Sequence, residues 1–344
     1  MARSSRHLSN VQTSAPPARL DETRIAAELV RSVRGGQSQA SLSRRLGYRS
    51  NIVSRWEAGA AFPTAARFLS ALRRVRPSEP TYERVFFARA PQSLRELDAT
   101  SSAGVAAFLR ELRGRTPIQN IARDSGFNRY SVSRWLSGDA EPRLPEFLRL
   151  IEVMSRRLLD FLACLTDPTR INSVAAPWKR LELARALAYE MPWSHAVLRA
   201  LELDATGRQH QKAWLAERLG LSLVDVTRAL DALVRTGQVK KTHGRFVLER
   251  VTSVDTGRDR SRAHALKMAW TRTALERMQV GAPGDYGYAL FAVSRDDLRR
   301  VRELHLEYVR AMQYVIASST PGECVGLYCA QLMDLASKAN ALGG

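Results

Sequence analysis

Apolar residues recur at helical spacing from residue 21 onward. Ile25, Leu29 and Val33 form one stripe at i, i+4 and i+8, and Gly35-Gly36 ends it. A short helix follows with Leu42 and Leu46 inward and Gly47 as its stop. A third helix covers about 50–58 and stops at Gly59. Pro63 then opens a fourth, holding Phe68, Leu69 and Leu72. The plan repeats from 103 to about 165. Phe108 and Leu112 begin it, Ile121 and the stop at Gly126 follow, and Asn128 is placed to cap the next helix. Phe147, Leu150, Ile151 and Met154 line its final helix. Residues 1–20 read as a flexible basic leader, with a minor-groove arm as the alternative. Residues 77–102, with Pro77, Pro80 and Pro91, read as a linker with room for a short helix near 82–87.

The two units share a constant step along the chain. Val53-Ser54-Arg55-Trp56 returns as Val132-Ser133-Arg134-Trp135, and Gly47, Gly59 and Pro63 return as Gly126, Gly138 and Pro142. Each member of the second set lies the same number of positions beyond its counterpart. A fixed step over glycines, a proline and two inward residues marks one structural unit used twice.

The pattern changes further on. Residues 166–207 form a helical connector with Trp178, Leu181, Leu183 and Leu187 apolar, interrupted by Pro192. In 208–250, Trp214, Leu215 and Leu219 belong to one helix and Ser222 with Asp225 caps the next. Two short strands then flank His243-Gly244. Helix, helix, hairpin is the order of a winged helix-turn-helix. Residues 251–340 predict a helix at 263–278, a strand at 286–293, a long helix opened by Ser294 and Asp297, and a second strand at 323–333. The expected architecture is therefore mainly α: two tandem helix-turn-helix bundles (21–76 and 103–165), a winged helix-turn-helix, and a small C-terminal α+β (strand-helix-strand) domain. Two strands alone do not make a stable sheet. A homodimer through the C-terminal domain is the economical expectation, and a pocket for an unknown small-molecule or peptide effector is its rival.

Composition adds a sign. The 344 residues carry 53 Lys and Arg against 34 Asp and Glu, a formal charge of +19, so polyanions are the favoured partners. The half of the chain that holds both repeats has a clear excess of Arg over acids, so the repeats share that sign. Cys164, Cys324 and Cys329 form no CxxC pair and read as reduced thiols. Neither a signal peptide nor a membrane-length apolar run is seen, so the expected setting is cytoplasmic, away from membranes. The six histidines show no metal spacing and the common catalytic motifs are missing. The expectation is a non-enzyme with no catalytic residue, metal or cofactor.

The first unit resembles the λ-repressor/Cro-like helix-turn-helix proteins. The residues carrying this are Ser38-Gln39, Leu42, Leu46-Gly47, Val53, Ser54, Glu57, Gly59 and Pro63. Helical spacing turns Val53 and Trp56 inward and leaves Ser50, Asn51, Ser54 and Arg55 outward. The resemblance implies that Ser50, Asn51 and Arg55 read bases and that Gln39 holds a phosphate. Arg49, next to them, joins the same DNA-binding set. In the second unit Arg129, Tyr130 and Arg134 take the reading positions, beside Asn128 and Ser133. Ile118 replaces the Gln and Leu136 the acid. In the winged unit Thr227 and Arg228 lie on the outer helix face, and Lys240, Lys241, His243 and Arg245 decorate the hairpin. Of these, Thr227, Arg228, Lys240, Lys241 and Arg245 are the expected DNA contacts.

Residues 175–340 resemble predicted bacterial transcriptional regulators that end in a domain of unknown function. The resemblance rests on Trp178-Lys179-Arg180-Leu181 and on the stretches 286–294 and 327–333. Such proteins carry one N-terminal helical unit, and the duplication departs from that. The function expected is sequence-specific binding of double-stranded DNA by a transcriptional regulator. The alternative from another class is a protein-interaction adaptor or antitoxin-like partner, and a DNA-coating protein without sequence preference is a third.

Overall fold

In the computed structural model, the described residues are 20–76, 82, 86–87, 94, 96–203, 210–249, 254, 256–319 and 321–335. The expected leader at 1–20, most of the stretch 77–95 and the end of the chain lie outside them. Among the described residues no helix is long and apolar enough to cross a membrane.

The chain is mainly helical with one small two-stranded sheet. Four helices make the first unit: α1 (Glu22–Arg34), α2 (Gln39–Arg45), α3 (Ile52–Glu57) and α4 (Ala65–Val75). Four make the second: α5 (Ser102–Arg113), α6 (Ile118–Ser125), α7 (Arg129–Ser137) and α8 (Leu144–Ser155). The starts follow local capping chemistry. Asp21, Ser38, Asn51 and Thr64 each accept a backbone N–H from the first turn of the helix they precede, as do Ser101 and Asn128. The repeated glycines have a geometric reason: Gly47, Gly59, Gly126 and Gly138 all hold φ between 74° and 93°, where a Cβ is strained.

The repeats are not beads on a string. One apolar core runs through both units and on into α9 (Leu158–Leu165) and α10 (Asn172–Glu190). Phe108, Phe147 and Phe161 are fully buried at its centre. Tyr82 and Phe86 pack edge-on against Phe161 with ring centroids at 5.5 and 5.9 Å. Two residues of the expected linker are thus core residues. Tyr82 and Phe86 are held there because their aromatic side chains have nowhere drier to go.

Across this core the units meet through equivalent parts. Thr64 and Arg143 form an antiparallel bridge. Ala65 N–H donates to the Pro142 carbonyl and Leu144 N–H to the Pro63 carbonyl, both at 2.9 Å. Helix α1 packs on α8, α5 packs on α4, and α4 touches α8.

The units differ in one buried detail. In the first, the Glu57 carboxylate has 3% side-chain exposure and takes Arg34 Nε at 2.5 Å, Gln39 Nε2 at 2.8 Å and Arg31 Nε at 3.7 Å. Burial works against its charge, but Arg34 and Gln39 outweigh it and hold the carboxyl below its usual range. In the second, the matching position is the buried Leu136, and Ile118 stands for Gln39. Arg110 and Arg113, which match Arg31 and Arg34, donate to the backbone carbonyls of Leu136 and Thr116, the latter bond matching that of Arg34 to the Gln37 carbonyl.

Beyond α10 lie α11 (Trp193–Leu201), α12 (Lys212–Leu219), α13 (Leu223–Arg235) and a hairpin of β1 (Val239–Thr242) with β2 (Arg245–Leu248). Leu215, Val226, Leu230, Leu233, Val239 and Phe246 give this group its own core. Its turn, His243-Gly244, has φ of 50° and 75°, the two positive values that a two-residue hairpin needs.

The last part differs from expectation. Two helices form, α14 (Arg260–Gln279) and α15 (Arg295–Ser318), and Ser294 caps the latter by accepting Asp297 N–H at 3.0 Å. The segments 286–293 and 323–333 form neither helix nor strand, so the expected strand-helix-strand domain does not form within one chain. The physical reason is pairing: alternating apolar sequence favours an extended backbone, but a ladder needs a neighbouring strand, and these two segments do not pair with each other.

Within the first unit, removing the Glu57 carboxylate should cost more when its space is left empty than when apolar groups refill it. Glu57→Ala should destabilise the chain by about 3–5 kcal/mol, since it leaves Arg34 without its buried counter-charge. The double change Gln39→Ile with Glu57→Leu also removes that counter-charge, but it refills the space as Ile118 and Leu136 do in the second unit, and should cost less. Calorimetric unfolding of the three proteins checks this ordering.

Candidate nucleic-acid interface

The outward side of α3 begins at its cap. Asn51 Oδ1 accepts Ser54 N–H at 3.4 Å and lies 3.2 Å from Ser43 Oγ. Ser50 and Asn51 therefore precede the helix instead of lying in its first turn. The Asn51 carbonyl oxygen is committed to the cap, and the amide NH2 is the part left for a ligand. Ser43 is a residue that periodicity does not single out. Its buried hydroxyl lies 2.8 Å from the Gln39 carbonyl and accepts Val53 N–H at 3.2 Å, tying α2 to α3. A serine among inward positions of a short helix was the one available signal.

Val53 and Trp56 are buried and anchor α3, with Tyr48 edge-on to Trp56 at 5.6 Å. Arg49, Ser50, Asn51 and Arg55 are exposed, and Ser54 is half-buried. Arg55 and Arg49 form no ion pair or side-chain hydrogen bond among the described residues. Glu57, the nearby acid, is occupied by Arg34, Arg31 and Gln39, so it does not neutralise them. Gln39 is thereby partly spent: one amide hydrogen goes to Glu57, and the second is what remains for an anion.

In the second unit α7 starts earlier, because Asn128 caps it by accepting Tyr130 N–H at 2.8 Å. Arg129 and Tyr130 thus sit inside the first turn, where their counterparts Ser50 and Asn51 stand before the helix. Asn128, Arg129, Tyr130, Ser133 and Arg134 are all exposed, with Tyr130 at 70%. Arg134 lies over the Tyr130 ring at 5.7 Å and donates to the Asp139 carbonyl at 3.1 Å. Val132 and Trp135 are buried beneath, and Phe127 meets Trp135 edge-on at 5.2 Å.

The hairpin residues form a separate group on the second core. Lys240 pairs with Glu249 at 2.5 Å, and Lys241 lies 5.9 Å from the Phe246 ring centre. Arg228 and Arg245 are exposed, and Thr227 is half-buried. No hydrogen bond or ion pair among the described residues joins this group to α3 or α7.

Residues 174–332 match the family model described as Domain of unknown function (DUF4423). The match runs from α10 into the segment 323–333 and leaves both repeats outside it. No curated protein matches the chain, and neither does any solved structure.

Asn51 offers a cap oxygen and a free amide group, which two substitutions should separate. Asn51→Ala removes the cap and should lower stability by about 1 kcal/mol. Asn51→Asp keeps the accepting oxygen and should stay near the parent value while losing the amide donors. Thermal unfolding of both variants checks this.

Proposed function

We propose that the chain is a sequence-specific DNA-binding transcriptional regulator that reads double-stranded DNA with tandem helix-turn-helix units. The observation that carries the reading is the split of each Val-Ser-Arg-Trp motif. Val and Trp are buried in both copies, while Arg55 and Arg134 stand exposed among short polar or basic neighbours. A reading helix needs that division: an apolar side that fixes it, and bidentate or polar groups free for base edges and phosphates. The formal charge of +19 supports the same partner. The helix, helix and hairpin group is read here as a winged unit, whose Arg228, Lys241 and Arg245 would add phosphate contacts.

A second copy of the chain is the proposed partner at the C-terminal end. Of the exposed large apolar side chains, 18 lie between Met268 and Leu335, among them Tyr288 at 95% and Leu290 at 80%. Single chains rarely leave so much apolar surface in one region. The strand-like sequences at 286–293 and 323–333 have no ladder partner among the described residues, and an identical chain would supply matching edges.

Binding of a selected duplex should fall roughly a thousandfold between about 50 and 200 mM salt if about six phosphates are engaged. Arg55→Ala should weaken it a further tenfold or more while sparing the fold. Mobility-shift titrations measure both. Salt-insensitive binding, or a stoichiometric protein partner in its place, favours the adaptor reading. For the dimer, light scattering should give twice the 38.4 kDa chain mass. Leu290→Asp with Tyr288→Asp should return it to a single chain; a monomeric parent sinks the proposal.

A further inference from the structure

Thr64 and Arg143 stand at equivalent positions of the two units, separated by the same step as the motifs, and they are also the two residues that pair. The hydrogen bonds on either side are equivalent too. Ala65 bonds to Pro142 and Leu144 to Pro63, and the first residue of each bond corresponds to the first of the other. An antiparallel pair has a local two-fold axis between its strands. Here that axis exchanges each residue with its own repeat counterpart, so it relates the two arms that lead from the third to the fourth helix of each unit. The packing between the units agrees: α1 lies on α8 as α5 lies on α4, and α4 meets α8, although α8 packs more closely on α5 and α6 of its own unit than α4 does on α1 and α2. Arg149 on α8 reaches Glu22 at the start of α1, and its counterpart Ser70 on α4 reaches the Thr100 carbonyl at the start of α5.

We infer that one chain presents its two reading helices about an internal two-fold axis, and that its DNA target is an inverted repeat of two unequal half-sites. This rests on the proposed DNA-binding function. A two-fold rotation leaves height along its axis unchanged, so α3 and α7 stand at one level and can face one duplex. DNA read about such an axis is read in opposite directions on its two halves. Helices α2 and α3 pack mainly on each other and on α1, and α6 and α7 pack within their own unit, so neither reading helix is consumed by the contact between units.

The connection also limits the spacing. Seven residues lead from Glu57 to Thr64, and seven from Leu136 to Arg143. At about 3.5 Å per residue, the two arms together span at most about 50 Å. Half-sites one helical turn apart need about 34 Å and fit, whereas two turns need about 70 Å and do not. The half-sites should be alike in part. Ser54 and Arg55 match Ser133 and Arg134, while Ser50 and Asn51 are replaced by Arg129 and Tyr130.

The test is selection of bound duplexes from a random library by the full chain, repeated with Arg55→Ala and Arg134→Ala. The expected result is two inverted, unequal half-sites centred about 10–11 base pairs apart. Each variant should lose sequence preference in a different half. Direct repeats, a single half-site, or half-sites two turns apart overturn the internal axis while leaving DNA binding intact. No enriched sequence at all overturns the DNA-binding function itself.

Discussion

Two reciprocal backbone hydrogen bonds, Ala65 to Pro142 and Leu144 to Pro63, set the relation on which the N-terminal half depends. By themselves two such bonds contribute little net stability. They matter because they lie over a continuous core in which Phe108, Phe147 and Phe161 are fully buried, and which holds the two units as one body. Close-packed interiors do not tolerate sliding. Any rotation of one unit against the other would open that core, so the bridge fixes direction while the core supplies the energy.

The duplicated units also show two solutions to one packing problem. The space between the first and third helix of a unit is filled by Glu57 with Arg34 and Gln39 in one copy, and by Leu136 with Ile118 in the other. An ion pair in this place is costly to desolvate and costly to break, and an apolar filling avoids both. The arginines persist in either case. Arg34 and Arg113 both reach the carbonyl three residues on, and only Arg110, whose counterpart Arg31 faces Glu57, turns to the Leu136 carbonyl. The polar solution also couples the α2 start to the end of α3 through Gln39, a link the second copy lacks.

Much of this was legible in the residues. The helices of both units, the caps at Asn128, Ser222 and Ser294, the inward Val and Trp pairs and the hairpin at His243-Gly244 follow from periodicity and turn chemistry, which act over a few residues. Other features were not legible. Tyr82 and Phe86 looked like linker residues because nothing local says that a distant aromatic cluster will accept them. Asn51 looked like an outward group, yet its oxygen is spent on a cap whose geometry involves Ser43 on another helix. The segments 286–293 and 323–333 have strand sequences but no ladder, since a strand is a property of a pair and a single segment records only half of it.

The sequence by itself determined that the chain is mainly helical, that one unit occurs twice at a fixed step, and that each copy buries its Val and Trp while exposing its Arg. These follow from spacing, because a helix returns to the same face every three to four residues. Only the tertiary structure decided how the copies face each other. A constant step along the chain is equally compatible with side-by-side and inverted arrangements. The choice was made by contacts between Pro63–Ala65 and Pro142–Leu144 and by the aromatic core beneath them, which join residues too far apart in the chain for any local pattern to encode.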